Sequence, residues 1–131
     1  MSRENVEIVR AIHEGWAAGN FAVGAELFSS GFTWEQHAAA AEPGSRSGDE
    51  VGRTLRNIFD VYADYRIEAE EFIDAGDEVV VMARNSGVAK ASGMRVDQLF
   101  AFLWTVRDGS VERLRVFTKR HEALEAAGLS E

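Results

Sequence analysis

The sequence predicts a single α+β domain in which helices come first and a curved antiparallel sheet follows. Apolar residues recur with a helical period as far as Tyr62, and from Tyr65 onward they alternate with a period of two. The pair Asp108-Gly109 lies between two alternating stretches, which is the pattern of a tight hairpin turn. A chain of 131 residues suffices for one domain, so no boundary is placed within residues 1–131.

Composition excludes several classes of protein. The chain has no cysteine, which excludes disulfides, thiolate catalysis and zinc–thiolate sites. A formal net charge of −8 argues against nucleic acid as a partner. No apolar run approaches the roughly 20 residues that cross a bilayer, and Met1-Ser2-Arg3-Glu4 lacks the apolar core of a signal peptide. We therefore expect a cytoplasmic protein with neither a membrane nor a nucleic acid as partner.

The first half of the chain reads as three helices and one strand. Ser2 can cap a first helix that Gly19 ends, and Asn20 can cap a short second helix through Phe28. The clearest helical stripe follows Asp49 and consists of Val51, Leu55, Ile58, Phe59 and Tyr62. Before it, the alternation at 32–36 predicts a strand, and the small, polar stretch 38–48 predicts a mobile loop.

The second half reads as four strands and a short helix. The predicted strands are Arg66 to Ile73, Val79 to Val88, Met94 to Val106 and Val111 to Thr118, joined by turns at 74–77, 90–93 and 108–109. Residues 122–127 can form a terminal helix that ends at Gly128. These elements complete the α+β architecture.

A two-residue turn at Asp108-Gly109 would sort the residues of the last two strands onto two faces. It pairs Val106 with Val111 and Trp104 with Arg113, and paired residues share a face. One face then holds Phe100, Phe102, Trp104, Arg113, Arg115 and Phe117. The other holds Leu103, Leu114 and Val116, joined by Met82, Arg84 and Asp97 if the turn at 90–93 has two or four residues. A shift of one residue would exchange the two faces entirely.

Both faces are largely apolar, although a half-solvated sheet should have one polar face. The helices can cover only one of them, and a second copy of the chain would most economically cover the other. Aromatic residues mixed with arginine are typical of protein interfaces. We therefore predict a homodimer through the face that holds Phe100, Phe102, Trp104, Arg113, Arg115 and Phe117. In the alternative, these aromatic residues form the core of the single chain.

The remaining face and the helices leave an expected pocket for a small hydrophobic or amphipathic molecule. Its candidate lining is Trp16, Phe32, Trp34, Gln36, Phe59, Tyr62, Met82, Leu103, Leu114 and Val116. The alternative is that these side chains fill an ordinary core. No fingerprint of a cofactor occurs, and the three scattered histidines do not form a metal site, so neither a cofactor nor a metal is expected.

Three polar residues are the candidates for catalysis. Arg84 could hold an anionic group with its guanidinium fork, and Asp97 could act as a base if it is desolvated. The alternative is an ion pair between the two side chains. His37 titrates near neutrality beside the predicted loop and could act as acid or base, although such a histidine can also be simply exposed. His13 and His121 are expected in solvent on their helices.

Five segments resemble SnoaL-like proteins of the nuclear transport factor 2 superfamily. These are ENVEIVR from Glu4, WAAGNF from Trp16, EFIDAGD from Glu71, WTVRDG from Trp104 and ALEAAGL from Ala123, and the resemblance covers nearly the whole chain. It implies a cone-shaped α+β fold, usually dimeric, with a pocket between the helices and the concave side of the sheet. Fold alone does not give the activity.

Family enzymes include ketosteroid isomerase, polyketide cyclases and limonene epoxide hydrolase, and the resemblance implies where their catalytic groups would fall. Aligned by hand, these positions hold Gln36, Ile12, Leu103 and Val116, none of which can act as a base or as an oxyanion donor in that role. The first hypothesis is therefore a binding protein without the known catalytic acids. The alternatives are a cofactor-independent isomerase, cyclase or hydrolase that uses Arg84 with Asp97 or His37, and a structural subunit whose cone is filled by its own side chains.

Overall fold

A computed structural model describes residues 3–19, 27–36, 44–47, 57 and 60–129, with the backbone alone described at 36 and 44–47. Its elements are α1 (Arg3–Ala17), β1 (Phe28–Gln36), β2 (Gly44–Ser47), β3 (Tyr62–Ala75), β4 (Glu78–Ala89), β5 (Arg95–Arg107), β6 (Ser110–Phe117) and α2 (Arg120–Ala126). The predicted first helix, the strand at 32–36, the four later strands and the terminal helix are confirmed within these residues. The predicted second helix lies outside the described residues as far as position 26, and Phe28, predicted at its end, begins β1 instead. Most of the predicted third helix also lies outside the described residues, and Tyr62, predicted at its end, belongs to β3.

Helix α1 lies against the sheet through one stripe of side chains. Val9, Ile12 and Trp16 are buried in a common cluster with residues of the strands, as the helical period predicts. Near its start, the Asn5 side chain donates hydrogen bonds to the carbonyls of Gly76 and Val106, at 3.0 and 3.1 Å. These two bonds fix the N-terminal end of the helix to one end of the sheet.

The strands form one six-stranded sheet in the order β2-β1-β6-β5-β4-β3. The chain neighbours from β3 to β6 pair antiparallel, as predicted, whereas β1 pairs with β6 in parallel. The short strand β2 falls inside the stretch predicted as a loop, and it pairs antiparallel with β1. The sheet curves around α1 without closing, and the predicted cone-shaped α+β class is confirmed.

The hairpin at Asp108-Gly109 forms as predicted, but a bulge directly after it changes the faces. Both turn residues have positive φ, 50° and 77°, and Val106 pairs with Val111. The next pair is Thr105 with Arg113, so Glu112 is an extra residue in β6. Beyond this β-bulge Trp104 pairs with Leu114 instead of Arg113, and the predicted register of β6 is wrong by one residue.

Two clusters of buried residues mark the two faces of the sheet. The concave cluster lies against α1 and includes Val79, Val81, Phe102, Trp104, Leu114 and Val116. The outer cluster lies against α2 and includes Val80, Met82, Ala101, Leu103, Phe117, Ala123 and Leu124. The four-residue turn at 90–93 puts Val80, Met82, Arg84, Leu99 and Leu103 on one face, as predicted, but this face is the outer one.

The helices of the described residues are too short and too polar to cross a membrane. The same residues contain no group of acidic or histidine side chains that could hold a metal ion.

Candidate functional site

The concave face is a set of cross-strand rows that change in size along the sheet. The first rows are bulky: Trp34, Leu114, Trp104 and Val79 form one, which ends at Asp74 of β3, and Val116, Phe102, Val81 and Phe72 form the next. In the following rows the residues of β3 and β4 become smaller: the rows hold Phe100, Ala83 and Ala69, then Gln98, Asn85 and Ile67, then Val96 and Gly87. Helix α1 packs on the bulky end, where its Trp16 ring lies 5.6 Å from the Trp104 ring and 6.2 Å from the Phe102 ring.

His13 is buried within the bulky rows and makes a single hydrogen bond. Its ring lies 5.1 to 6.0 Å from the rings of Trp16, Phe72, Phe102 and Trp104. The indole Nε1–H of Trp104 donates to His13 Nε2 at 3.0 Å. Burial lowers the pKa of His13 from its ordinary 6.5 to about 3, so the imidazole is neutral at physiological pH.

This hydrogen bond fixes the tautomer of His13. An indole N–H can only donate, so Nε2 is the lone-pair nitrogen and the proton of the neutral ring lies on Nδ1. Within the described part of the chain, that Nδ1 is buried and has no hydrogen-bond partner. His13 therefore presents a buried, neutral N–H donor that has no acceptor among the described residues.

Trp34 supplies a second donor of the same kind on the same face. Its side chain is buried in the concave cluster, and its Nε1 has no hydrogen-bond partner among the described residues. Trp34 and Trp104 both pair with Leu114, on either side of it, so the two indoles flank one residue of β6. The bulky end of the concave face thus contains two unpaired buried donors, His13 Nδ1 and Trp34 Nε1.

The interior carries no formal charge in the part that the structure describes. Its buried polar side chains are Asn5, His13, Asn85 and Thr105, and none of them is ionised because His13 is held neutral. Every other buried side chain is apolar. Two charged groups lie at the edge of this face: Asp74 pairs with Val79 at the end of a bulky row, and the Arg10 guanidinium lies 4.4 Å over the Phe72 ring. The buried part of the concave face that the structure describes can therefore offer hydrogen bonds and apolar contact.

A second polar position lies at the small end of the face. The Asn85 amide nitrogen donates to the Tyr65 hydroxyl at 2.9 Å, and burial raises the pKa of Tyr65 above its usual value. The Asn85 carbonyl oxygen is buried without a partner among the described residues. Asn85 thus adds an unpaired acceptor to a face whose other end holds unpaired donors.

Half of the predicted pocket residues lie on this face. Trp16, Phe32, Trp34, Leu114 and Val116 belong to the concave cluster. Met82 and Leu103 belong to the outer cluster instead, because their neighbours in sequence point to the concave side of the strands. The prediction that these two residues line the pocket is therefore wrong. Tyr62 is half-buried with its ring 5.6 Å from that of Tyr65, Gln36 pairs with Val116 through the backbone, and Phe59 lies outside the described residues.

The predicted catalytic pair lies on the opposite side of the sheet. Arg84 is on the outer face, where its guanidinium contacts Asp97 at 2.9 Å and Glu70 at 3.2 Å, and all three side chains are exposed. The two carboxylates, Asp97 first, raise the pKa of Arg84 above its usual value. The expectation that Arg84 and Asp97 face the pocket is thus wrong, and their ion pair is the alternative stated above. His37 lies outside the described residues.

The predicted dimer residues are divided between the faces by the bulge. Phe102 and Trp104 belong to the concave cluster and Phe100 packs against it, so their placement on an outer surface is corrected. Arg113, Arg115 and Phe117 are on the outer face, where Phe117 is covered by α2. The two arginines line an open groove of about 700 Å³ that also contains Thr33, Glu78 and Thr105.

The ionic contacts in this groove pair each arginine with an acid. Arg113 Nε donates to Glu35, and Arg115 donates to Glu78 at 2.6 Å in the less exposed of the two pairs. Arg107, on the rim, lies 3.6 Å from Asp77. The outer groove therefore alternates in charge, in contrast to the uncharged buried residues of the concave face.

Sequence reasoning missed His13 and Asn85. The spacing of His13 from Val9 and Trp16, by four and three residues, places all three on one side of a helix, and this signal contradicts an exposed position. Asn85 alternates with Val81 and Ala83 along β4 and shares their face. Nothing in the local sequence distinguishes it from the partly exposed Arg84 and Ser86 beside it.

Comparison with known proteins agrees with this architecture. A solved NTF2-like protein from Burkholderia thailandensis is 24% identical with a TM-score of 0.82 and 97% of each chain covered. A proposed SnoaL-like polyketide cyclase from Jannaschia sp. CCS1 is 27% identical with a TM-score of 0.73, covering 94% of this chain and 90% of its own.

A third solved structure extends the same fold to a protein with a bound small molecule. It is a hypothetical protein with a ketosteroid isomerase-like fold from Catenulispora acidiphila, in complex with trimethylamine, and it is 18% identical with a TM-score of 0.73. The alignment covers 98% of this chain and 95% of that one. The chain matches none of the curated proteins.

The SnoaL-like domain pattern matches residues 9–114, which is most of the chain and includes α1 from Val9 onward and all six strands apart from the end of β6. The resemblance predicted from the sequence is confirmed by this match. The chain belongs to the SnoaL-like domain family.

Proposed function

We propose that this protein binds an uncharged small molecule, hydrophobic or amphipathic, against the concave face of its sheet. The observation that carries the proposal is the pair of buried N–H donors, His13 Nδ1 and Trp34 Nε1, that have no acceptor within the described ranges. We propose a binding protein, because Arg84 and Asp97, the predicted catalytic residues that the structure describes, do not lie on the concave face.

Unpaired buried donors are the reason to expect a ligand. A buried N–H without a partner costs about 1–3 kcal/mol, and most proteins avoid this cost. A ligand oxygen that accepts from His13 or Trp34 would remove it. A carbonyl, ester, ether or hydroxyl oxygen has the required lone pairs, so the ligand carries at least one such group.

The charge of the surroundings favours a neutral ligand. A carboxylate placed among Trp16, Phe32 and Val116 would lose its hydration, which costs several kcal/mol. The described cation nearest these rows, Arg10, already stacks on the Phe72 ring and lies 3.9 Å from Glu7. Protonating His13 to supply a cation would be equally costly, because its pKa is about 3. An uncharged ligand meets neither cost.

The enzymatic alternative has less support. It relied on Arg84 with Asp97 or His37, and Arg84 and Asp97 lie together on the outer face. His13 cannot act as a base through Nδ1, which carries the proton, and its Nε2 already accepts from Trp104. Neither His13 nor the pair Arg84 and Asp97 is therefore placed to move a proton on the concave face.

Two probes that share one alkyl chain, a neutral methyl ester and the corresponding anion, test the proposal. Calorimetric titration of the protein with methyl dodecanoate and with dodecanoate, both below micelle formation, should give at least about tenfold tighter binding of the ester. Trp34→Phe keeps the aromatic shape and removes the donor, so it should weaken ester binding about three- to tenfold. Glu70→Gln, on the exposed outer face, is the matched control and should leave binding unchanged.

Either of two results would contradict this function. Equal or tighter binding of the anion would mean that a cation lies in the site. Ester binding that is insensitive to Trp34→Phe but lost in Glu70→Gln would place the site on the outer face, beside Arg84.

We also propose that two copies of the chain associate through the outer groove. Helix α2 covers one part of the outer face, and the groove with Arg113 and Arg115 is left open. Its alternating charges suit a twofold contact in which an arginine of one copy meets an acid of the other. Action in the cytoplasm stays a prediction from the sequence.

A further inference from the structure

We infer that Asn85 binds a hydrogen-bond donor of the ligand, a hydroxyl or an N–H, at the small end of the concave face. This inference rests on the proposed function and adds a second anchoring point to it. The ligand is then an elongated, uncharged molecule that accepts hydrogen bonds near one end and donates one near the other.

Asn85 has the properties of a recognition group that lacks its partner. It is 9% exposed, and its carbonyl oxygen is buried and unpaired in the described part of the chain. Asn85 of β4 pairs with Ile67 of β3, and both lie on the same face of the sheet as Ala83, which is the concave face. A ligand donor is therefore the group that would complete the hydrogen bonding of this amide.

Tyr65 holds the amide in this orientation. Its hydroxyl accepts from the Asn85 amide nitrogen at 2.9 Å, so the carbonyl edge of the amide points to the other side. The tyrosine ring in turn lies directly on the backbone of Gly87: a Cβ at that position would be 3.1 Å from Tyr65 Cδ2 and 3.3 Å from its Cα. The absence of a side chain at 87 thus lets Tyr65 approach closely enough to orient Asn85.

The side chains of β3 and β4 are small between the bulky rows and Asn85, where Ala69 and Ala83 lie beside Phe100 of β5. Asn85 itself lies between Ile67 and Gln98, and beyond it Tyr65 covers Gly87. A row of small residues alone would not indicate a site. Here the small residues lie between the two donors, His13 and Trp34, and the acceptor Asn85. All three groups are buried and have no hydrogen-bond partner among the described residues.

The separation of these groups sets the length of the ligand. His13 packs on Phe102, which pairs with Val81, and Val81 is four residues from Asn85 on the same strand. Four strand residues span about 13 Å. A ligand that reaches both ends is therefore longer than a single ring.

A matched series of esters tests this inference. Wild-type protein is titrated with methyl dodecanoate, with its ω-hydroxy derivative and with its ω-methoxy derivative, which can accept but not donate. The terminal hydroxyl should tighten binding about fivefold and the methoxy group should not, because only the hydroxyl can donate to Asn85. Asn85→Leu keeps the size of the side chain and should abolish the hydroxyl preference while the plain ester still binds.

The outcomes separate the two proposals. If the plain ester binds but the hydroxyl gives no gain, or the gain persists in Asn85→Leu, the inference about Asn85 is overturned and the proposed function stands. If none of the esters binds, both are overturned. If Asn85→Leu does not fold, the comparison of hydroxyl with methoxy on the wild-type protein decides, since it needs no variant.

Discussion

His13 remains neutral because it is enclosed by aromatic rings. Four rings surround its imidazole within 6.0 Å, and the Trp104 indole occupies the nitrogen that would otherwise take up a proton. A charged imidazolium would lose its hydration there and gain no carboxylate among the described neighbours. The same residue that gives the concave face a neutral donor therefore makes the fold sensitive to acid.

The free energy of unfolding should fall as the pH is lowered from about 6.5 toward 3. The unfolded chain protonates His13 near 6.5, while the folded pKa is about 3, so only the unfolded state gains a proton in this window. The loss is about 1.4 kcal/mol per pH unit, or about 2 kcal/mol between pH 7 and pH 5. Urea unfolding at those two pH values measures it.

Two variants isolate this contribution. His13→Phe should be less stable at pH 7, because Trp104 loses its acceptor, but should lose about 2 kcal/mol less than wild type on going to pH 5. His121→Gln, at an exposed position of α2, should keep the wild-type difference. A His13→Phe protein with the wild-type pH dependence would mean that His13 is not buried in a neutral form.

At the scale of the element, the hairpin shows how far the sequence can be interpreted. The pair Asp108-Gly109 predicts the turn, and Val106 does pair with Val111. Glu112 then forms a β-bulge that no residue type in this stretch predicts, because bulges of this kind do not require glycine. Because the side-chain period of a strand is two, this single residue moved Leu114 and Val116 to share a face with Trp104.

The predictions that held depend on periodicity and turn length, which are local. The turn at 90–93 has the expected four residues, so Met82, Arg84 and Leu103 do share a face. Which face of the sheet α1 covers depends on tertiary packing. Because α1 covers the other face, Arg84 lies on the outer side of the sheet and not toward the expected pocket. Short-range patterns were therefore sufficient to predict the helices and strands. The residues of the site could not be predicted without knowing how α1 packs on the sheet.

Gly109→Ala tests the turn. Gly109 has a φ of 77° and no atom within 4 Å of a Cβ built on it, so the cost of alanine is purely conformational, about 1–2 kcal/mol in the free energy of unfolding. Gly31→Ala is the matched control: Gly31 also has open space but no positive φ, and alanine should be neutral or slightly stabilising there. Equal effects of the two substitutions in urea unfolding would contradict a positive-φ requirement at 109.

At the scale of the whole molecule, the two sides of the sheet differ in chemistry. The buried concave residues that the structure describes are uncharged and include unpaired donors and an acceptor, whereas the outer side has an apolar part under α2 and an open groove of alternating charge. The first suits a neutral small molecule. The second suits another protein surface, because exposed charges of both signs can be matched by a second copy.

The homodimer should depend on the charges of this groove. Arg113→Glu places a like charge beside Glu35 and should convert a dimer to a monomer in light scattering, with an unchanged circular dichroism spectrum. Arg66→Glu, at an exposed position of β3 outside the groove, is the control and should remain dimeric. A dimer that persists in Arg113→Glu, or a wild-type monomer, would contradict this interface.

The central claim is that a neutral ligand meets unpaired donors on the concave face, and the indole N–H signals test it most directly. The chain has three tryptophans, so its ¹⁵N–¹H spectrum contains three indole signals, which single Trp→Phe variants assign. Titration with the ω-hydroxy ester should move the Trp34 signal downfield as its N–H forms a new hydrogen bond. An unchanged Trp34 signal, with shifts confined to the Arg113 and Arg115 side-chain N–H groups, would place the ligand in the outer groove and contradict the account.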